Sequence, residues 1–320
     1  MSSDHESALM SPAVRPSWND LPQGLREALT QRLGTVHEVV MQSGGFTPGL
    51  AARVVAETGR AFVKAVPADH VLAPKYRAEA AVAELMPVTT SAPRLRWSGD
   101  LAGWAVLVFE DVEGRHPDLA PGSADVAVAV AGVAALAETL TPSPANVALS
   151  SEARGGFLHG WGELLQSGAD GLGPWERDRL GLLAELERVW VPHSAGLSLV
   201  HGDIRPDNLL IRSRQSHNDE VLLVVDWAQP SIGATWQDVV DLIPHMIMAG
   251  HAPVEAEDAV SHLRAWQELP DIVITSYCVA YAGYWARMSM QPPPPGVPHL
   301  RAYQAGAAKA ALAWARARID

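Results

Sequence analysis

The chain has a single cysteine in 320 residues, Cys278, which excludes a disulfide framework and any cysteine-rich metal site. Set among aromatic and small residues, it is expected to be a buried packing residue in a reducing compartment. The histidines offer no substitute, because no spacing groups His159 or His193 with Cys278 or a carboxylate into a zinc set. No stretch reaches the roughly 18 apolar residues that a membrane span requires. The N-terminal M-S-S-D-H-E-S begins acidic and lacks an apolar signal core, so the expectation is a soluble, cytoplasmic protein without a membrane partner. Lysine is scarce, three against twenty-one arginines, which reads as coding bias. Charged residues make up 19%, the net charge is −12, and there is no long like-charge block, so a nucleic-acid footprint is absent. There is no internal repeat, and nothing indicates an oligomeric state.

What is present divides the chain by composition. After a polar, proline-containing stretch over residues 1–16, expected to be a disordered tail, Asn19 or Asp20 is placed to cap a helix with Pro22 in its first turn. Leu25, Leu29 and Leu33 share one face of that helix and Gly34 ends it. Three strand-like runs follow, Val36–Met41, Ala51–Ala56 and Ala61–Val66. The turn before the second, Gly44-Gly45-Phe46-Thr47-Pro48-Gly49, is rich in glycine, so its backbone N–H groups can approach phosphate oxygens. Lys64 lies on the third strand. A helix is expected from about Lys75 to Met86, with Glu79 aimed toward Lys64 and Glu84 on another face. Trp104–Phe109 reads as a buried strand, followed by the connection 110–114 that holds Glu110 and Val112. From Ser123 onward the chain turns to alanine- and leucine-rich helices: 125–140, 155–167, 175–189, a helix whose start Asp238 sets, 254–266, 271–290 and 303–319.

The richest stretch is L-V-H-G-D-I-R-P-D-N-L-L-I, followed by a polar hairpin loop and V-L-L-V-V-D-W. Leu209–Ile211 and Val221–Val225 have strand composition, so this hairpin brings Asp203, Asn208 and Asp226 to one site. Phosphoryl transfer needs such a set: hard oxygen ligands for Mg²⁺ and a carboxylate to accept the proton of the incoming hydroxyl. In kinase catalytic loops the base Asp precedes a metal-binding Asn by five residues, the spacing of Asp203 and Asn208. A second metal-binding Asp follows on the next hairpin, where Asp226 lies.

The wording departs from protein kinases: His201-Gly202-Asp203 stands for H-R-D, Asp226-Trp227 for D-F-G, and eleven residues to Asp238 leave no room for an activation loop. The pattern H-G-D-x-x-x-x-N, hydrophobic strand, D-W, then G-x-x-x-x-D from Gly233 to Asp238 resembles the aminoglycoside phosphotransferase family, whose relatives include choline, homoserine and methylthioribose kinases and macrolide phosphotransferases. The resemblance implies an α+β, two-lobed, protein-kinase-like fold, with a small β-rich N-lobe over 17–113 and a larger, mostly helical C-lobe over 114–320. It implies ATP and Mg²⁺ as cofactors and a hydroxyl-bearing small molecule as partner. Asp203 would be the base, Arg205 a charge-stabilising neighbour, and Asn208 and Asp226 metal ligands. Lys64, set by Glu79, would engage the phosphates under the turn of Gly44 and Gly45, adenine would bond the hinge backbone at Glu110 and Val112 over 110–114, and Asp238 would support the catalytic loop.

Acidic residues outnumber basic ones 25 to 14 over residues 111–320 but only 11 to 10 over residues 1–110. A field of that sign attracts a cation, so a cationic antibiotic such as an aminoglycoside is expected, with Glu255, Glu257 and Asp258 lining its pocket. Choline, an amino alcohol, a sugar or a macrolide are alternatives, as is a nucleotide-binding pseudokinase.

Overall fold

The computed structural model describes residues 13–42, 44–168, 170–213 and 220–320. The first twelve residues of the expected tail and most of the expected hairpin loop, 214–219, therefore lie outside the described residues. A helix, α1 (Gln23–Leu33), leads into an antiparallel sheet of β1 (Val36–Met41), β2 (Leu50–Ala56), β3 (Gly59–Pro67), β4 (Leu95–Leu101) and β5 (Trp104–Glu110), ordered β1-β2-β3-β5-β4. Between β3 and β4 comes α2 (Ala73–Leu85).

Strand alternation decides which helix covers which face. Ala61, Val63 and Ala65 of β3, with Val106 and Val108 of β5, pack against Leu25, Leu29 and Leu33 of α1. Burying each leucine contributes roughly 1.5–3 kcal/mol. Phe62 and Val66, with Leu107 and Phe109, face Tyr76 and Ala80 of α2. Lys64 shares that second face, so the period of two in β3 carries it toward α2. Gly34, at φ +75°, ends α1 as expected. Its start differs: Asp20 closes a short 3₁₀ turn over Trp18–Asp20, accepting the Ser17 N–H at 2.9 Å, and α1 begins after Pro22 instead. Pro22 suits that position because its fixed φ is compatible with helix entry.

The rest is helical around two small two-stranded sheets. In order come α3 (Asp125–Thr139), α4 (Gly160–Ser167), α5 (Pro174–Leu186), β6 (Ser198–Val200), β7 (Leu209–Ser213), β8 (Glu220–Val224), β9 (Ser231–Gly233), α6 (Trp236–Met248), α7 (Pro253–Val260), α8 (Asp271–Ser289) and α9 (Leu300–Ile319). β7 pairs with β8, and β6 pairs antiparallel with β9, so the chain entering the catalytic loop is bonded to the chain leaving the D-W loop. Helix α6 is buried over most of its length, between α3 and α9. Cys278 is fully buried on α8, where burial raises its thiol pKa, as its apolar neighbours implied. Among the described residues no helix is long and apolar enough to cross a membrane.

Candidate active site

Lys64, Glu79 and Asp226 meet in one cluster. The Lys64 ammonium donates to Glu79 Oε2 at 2.6 Å and to Asp226 Oδ1 at 2.7 Å, and all three side chains are largely buried. Glu79 is one turn from Tyr76 on the buried stripe of α2, while Glu84 sits elsewhere and accepts from Ser98 Oγ at 3.2 Å. Burial works against every charge here. Against it, Lys64 draws the Asp226 carboxyl down to about 2, while for Glu79 burial dominates and lifts it to about 7. The two carboxylates in turn raise the lysine above its ordinary value. Asp226 adopts φ +66°, a left-handed conformation that Asp tolerates in tight turns and that most side chains avoid.

The catalytic loop is held from below by Asp238, whose Oδ2 accepts the His201 N–H at 2.7 Å and whose Oδ1 accepts the Gly202 N–H at 3.0 Å. His201 is fully buried with its ring edge-on to Trp227. Its Nδ1 accepts the Asp203 N–H at 3.2 Å, which assigns the proton to Nε2, donating to Val225 O at 3.0 Å. Asn208 Nδ2 donates to Asp203 O at 2.9 Å and to Asp203 Oδ2 at 3.2 Å. Asp203 keeps its carboxylate accessible, with 31% of the side chain exposed.

A cavity of about 430 Å³ opens between the sheet and this loop. It is lined by Lys64, Glu79, Asn208 and Asp226, by Gly44 and Gly45, and by Glu110 and Val112. Gly45 has φ +81° and Gly44 has open space where a Cβ would be. Gly49 is more constrained, since a Cβ there would lie 2.7 Å from the Tyr76 hydroxyl and 2.9 Å from Ala65 O. Val112 O accepts from Arg53 Nη2 at 2.9 Å, and Glu110 N–H donates to Arg94 O at 2.8 Å.

Three expectations need correction. Arg205 does not line this cavity; its Nε lies 3.0 Å from Asp207 Oδ1 and 3.7 Å from Asp203 Oδ2, with the guanidinium over the Phe46 ring. Glu255, Glu257 and Asp258 do not line this cavity either: Glu255 caps α7 by accepting the Ala252 N–H, Glu257 pairs with Arg318 and accepts from Trp314, and Asp258 is exposed. The last part of the expected tail, 13–16, is also ordered. Ala13 N–H donates to Gly45 O, and Arg15 reaches the glycine-rich turn.

Sequence reasoning missed further residues. Arg154, only 2% exposed, donates to Asp241 Oδ1 at 2.9 Å and to the Tyr277 hydroxyl, and it stands behind Gly202. His245 contacts the Ile204 backbone, and burial, reinforced by Arg205, depresses its pKa to about 3, so the imidazole is neutral. Both are separated in sequence from what they support, and no local pattern marks them.

The arrangement matches known proteins. The model of the phosphotransferase enzyme family, APH, matches residues 48–290. No curated protein sequence matches the chain. Among solved structures, a thermostable mutant of aminoglycoside phosphotransferase APH(4)-Ia, in a ternary complex with ADP and hygromycin B, is similar at 12% identity and TM-score 0.61, covering 93% of this chain and 100% of that one. Choline kinase LicA from Streptococcus pneumoniae is similar at 16% identity and TM-score 0.62, with 90% and 96% covered. The microcompartment-associated aminopropanol kinase is similar at 15% identity and TM-score 0.59, with 91% and 97% covered. With the family model spanning most of the chain and the kinase-like fold extending over nearly all of it, this protein belongs to the phosphotransferase enzyme family, the small-molecule kinases that phosphorylate hydroxyl groups.

Proposed function

We propose that the chain is an ATP- and Mg²⁺-dependent O-phosphotransferase acting on a hydroxyl-bearing, cationic small molecule. One observation carries the reading: Lys64, Glu79, Asn208 and Asp226 surround a single cavity, and Asp203 stands 3.2 Å from Asn208 with its carboxylate accessible. The nucleotide complexes known for similar structures support an adenine nucleotide in that cavity.

The donor set fits the cation. Asn208 spends its amide nitrogen on Asp203, which turns Oδ1 the other way, and Asp226 uses Oδ1 on Lys64 with Oδ2 left over. Among the described residues no trio of His, Cys, Asp or Glu is placed to hold a metal. An amide oxygen and a carboxylate completed by phosphates and water are what Mg²⁺ ordinarily uses. Bound there, the ion neutralises charge between the phosphates. Lys64, tied by Glu79, engages the phosphates from the sheet side. Asp203 orients the acceptor hydroxyl and takes its proton as the oxygen attacks the γ-phosphorus and the bond from that phosphorus to the β–γ bridging oxygen breaks, so that ADP leaves. Arg205, between Asp203 and Asp207, holds the base in place.

For the acceptor, the negative balance beyond residue 110 still favours a cation. The test is an ADP-release screen across aminoglycosides, amino alcohols, choline, macrolides and neutral sugars, with Asp203→Ala as the blank. Asp203→Ala should lose about 10²–10⁴ in rate while still binding nucleotide. Asp226→Ala should lose Mg²⁺-dependent nucleotide binding itself. Full turnover by Asp203→Ala, or a neutral sugar as the best acceptor, overturns the corresponding half of the reading.

A further inference from the structure

Residues 13–15 run beside the glycine-rich turn, and Arg15 lines the cavity. Ala13 N–H donates to Gly45 O at 3.2 Å and Val14 N–H to Gly296 O at 2.7 Å, so two successive amides tie the glycine-rich turn to the proline-rich loop between α8 and α9. Arg15 then turns inward. Its Nε donates to Thr47 O at 3.1 Å and its Nη1 to Gln42 O at 3.2 Å, the two shoulders of the turn. Its Nη2 lies 3.1 Å from the position a Cβ on Gly45 would take, so glycine there makes room for the guanidinium.

Arg15 lines the same cavity as Lys64 and Asp226 and makes no ion pair among the described residues. The carboxylates it senses, Asp226 and Asp207, line other parts of that cavity. Bridging two carbonyls needs only neutral donors, and it occupies two of the five N–H groups a guanidinium offers. Half-burying a positive charge for that purpose alone costs solvation without a compensating partner. A guanidinium with spare donors beside a cavity, lacking a carboxylate partner, suits an anion with several oxygens.

We propose that Arg15 is a phosphate-binding residue of the nucleotide site, carried into the cleft by the segment that precedes the kinase-like fold. It rests on the nucleotide reading of the cavity. It adds Arg15 to the cations Lys64 and Arg53 that line the cavity, delivered by a stretch lying ahead of the matched family region, which starts at residue 48.

The test is calorimetry on the full chain with Mg²⁺ and three probes: adenosine, ADP and AMP-PNP. Arg15→Gln retains donors for the carbonyls without the charge, and Arg15→Lys retains the charge. Arg15→Gln should weaken AMP-PNP about 10-fold or more, as expected for one lost charge-assisted hydrogen bond, and adenosine less than about twofold. Arg15→Lys should recover most of the loss. Equal losses for adenosine and AMP-PNP would make Arg15 only a brace for the turn and overturn the proposal. So would unchanged or tighter AMP-PNP binding by Arg15→Gln. If the wild-type chain binds none of the three, it is the nucleotide reading that fails.

Discussion

Asp238 is the single residue on which the shape of the catalytic loop depends most, and Asp238→Asn measures how much. The carboxylate is 3% exposed and accepts two backbone N–H groups, at 2.7 Å from His201 and 3.0 Å from Gly202. The amide that replaces it offers one oxygen and one nitrogen. One backbone N–H therefore faces another donor, and leaving it unsatisfied costs about 1–3 kcal/mol. The surviving bond loses its charge and about half its strength, roughly another 1 kcal/mol. The total, about 2–4 kcal/mol, is a large share of a typical stability of about 5–15 kcal/mol. The local effect should be sharper, because Asp203 follows directly after the released Gly202. A displacement of about 1 Å at a reacting group costs on the order of 10²-fold in rate. Urea denaturation should give the stability loss, and kcat should fall far more than nucleotide affinity. Stability within about 0.5 kcal/mol of wild type, together with kcat within about threefold, would refute the reasoning.

The remaining expectations concern buried charges. Glu79, lifted to about 7 by burial, gains its proton as pH falls through that value, and its hold on Lys64 weakens. The acid limb of kcat/KM should therefore lie near 7 and vanish in Glu79→Gln, and the Lys64→Ala/Glu79→Ala double variant should lose less than the sum of the singles; an unchanged limb would point to another group. Arg154→Met leaves Asp241 and the Tyr277 hydroxyl buried without their cation, so it should lower stability by about 3–5 kcal/mol. Arg154→Met with Asp241→Leu should recover much of that in thermal melts; no recovery would mean that the pair is not the reason.

Most of the cleft was legible because kinase-like chemistry is written in short spacings. His201 to Asn208 and Asp226-Trp227 are contiguous motifs, and the alternation in F-V-K-A-V was enough to aim Lys64 at α2. The sheet followed for the same reason, as strands with clear turns. What stayed hidden depends on distance along the chain. Arg154 meets Asp241 across 87 residues, and Arg15 meets Thr47 across 32, with polar neighbours that suggest a loose tail. Glu257 misled for the matching reason: its partner Arg318 is 61 residues on, and an acidic surface helix gives no sign that its charge is already spent. Arg205 was placed by position in the motif, whereas its direction was decided by Asp207 two residues later.

The pairing of β6 with β9 has a consequence for motion. Only Trp227–Pro230 separates Asp226 from β9, and β9 is bonded back to the strand that delivers His201. The loop bearing Asp203 and the loop bearing Asp226 are thus stitched together through one two-stranded ribbon. A large displacement of Asp226 would have to stretch this four-residue link or break β6–β9 hydrogen bonds, so the two loops should shift together rather than one at a time.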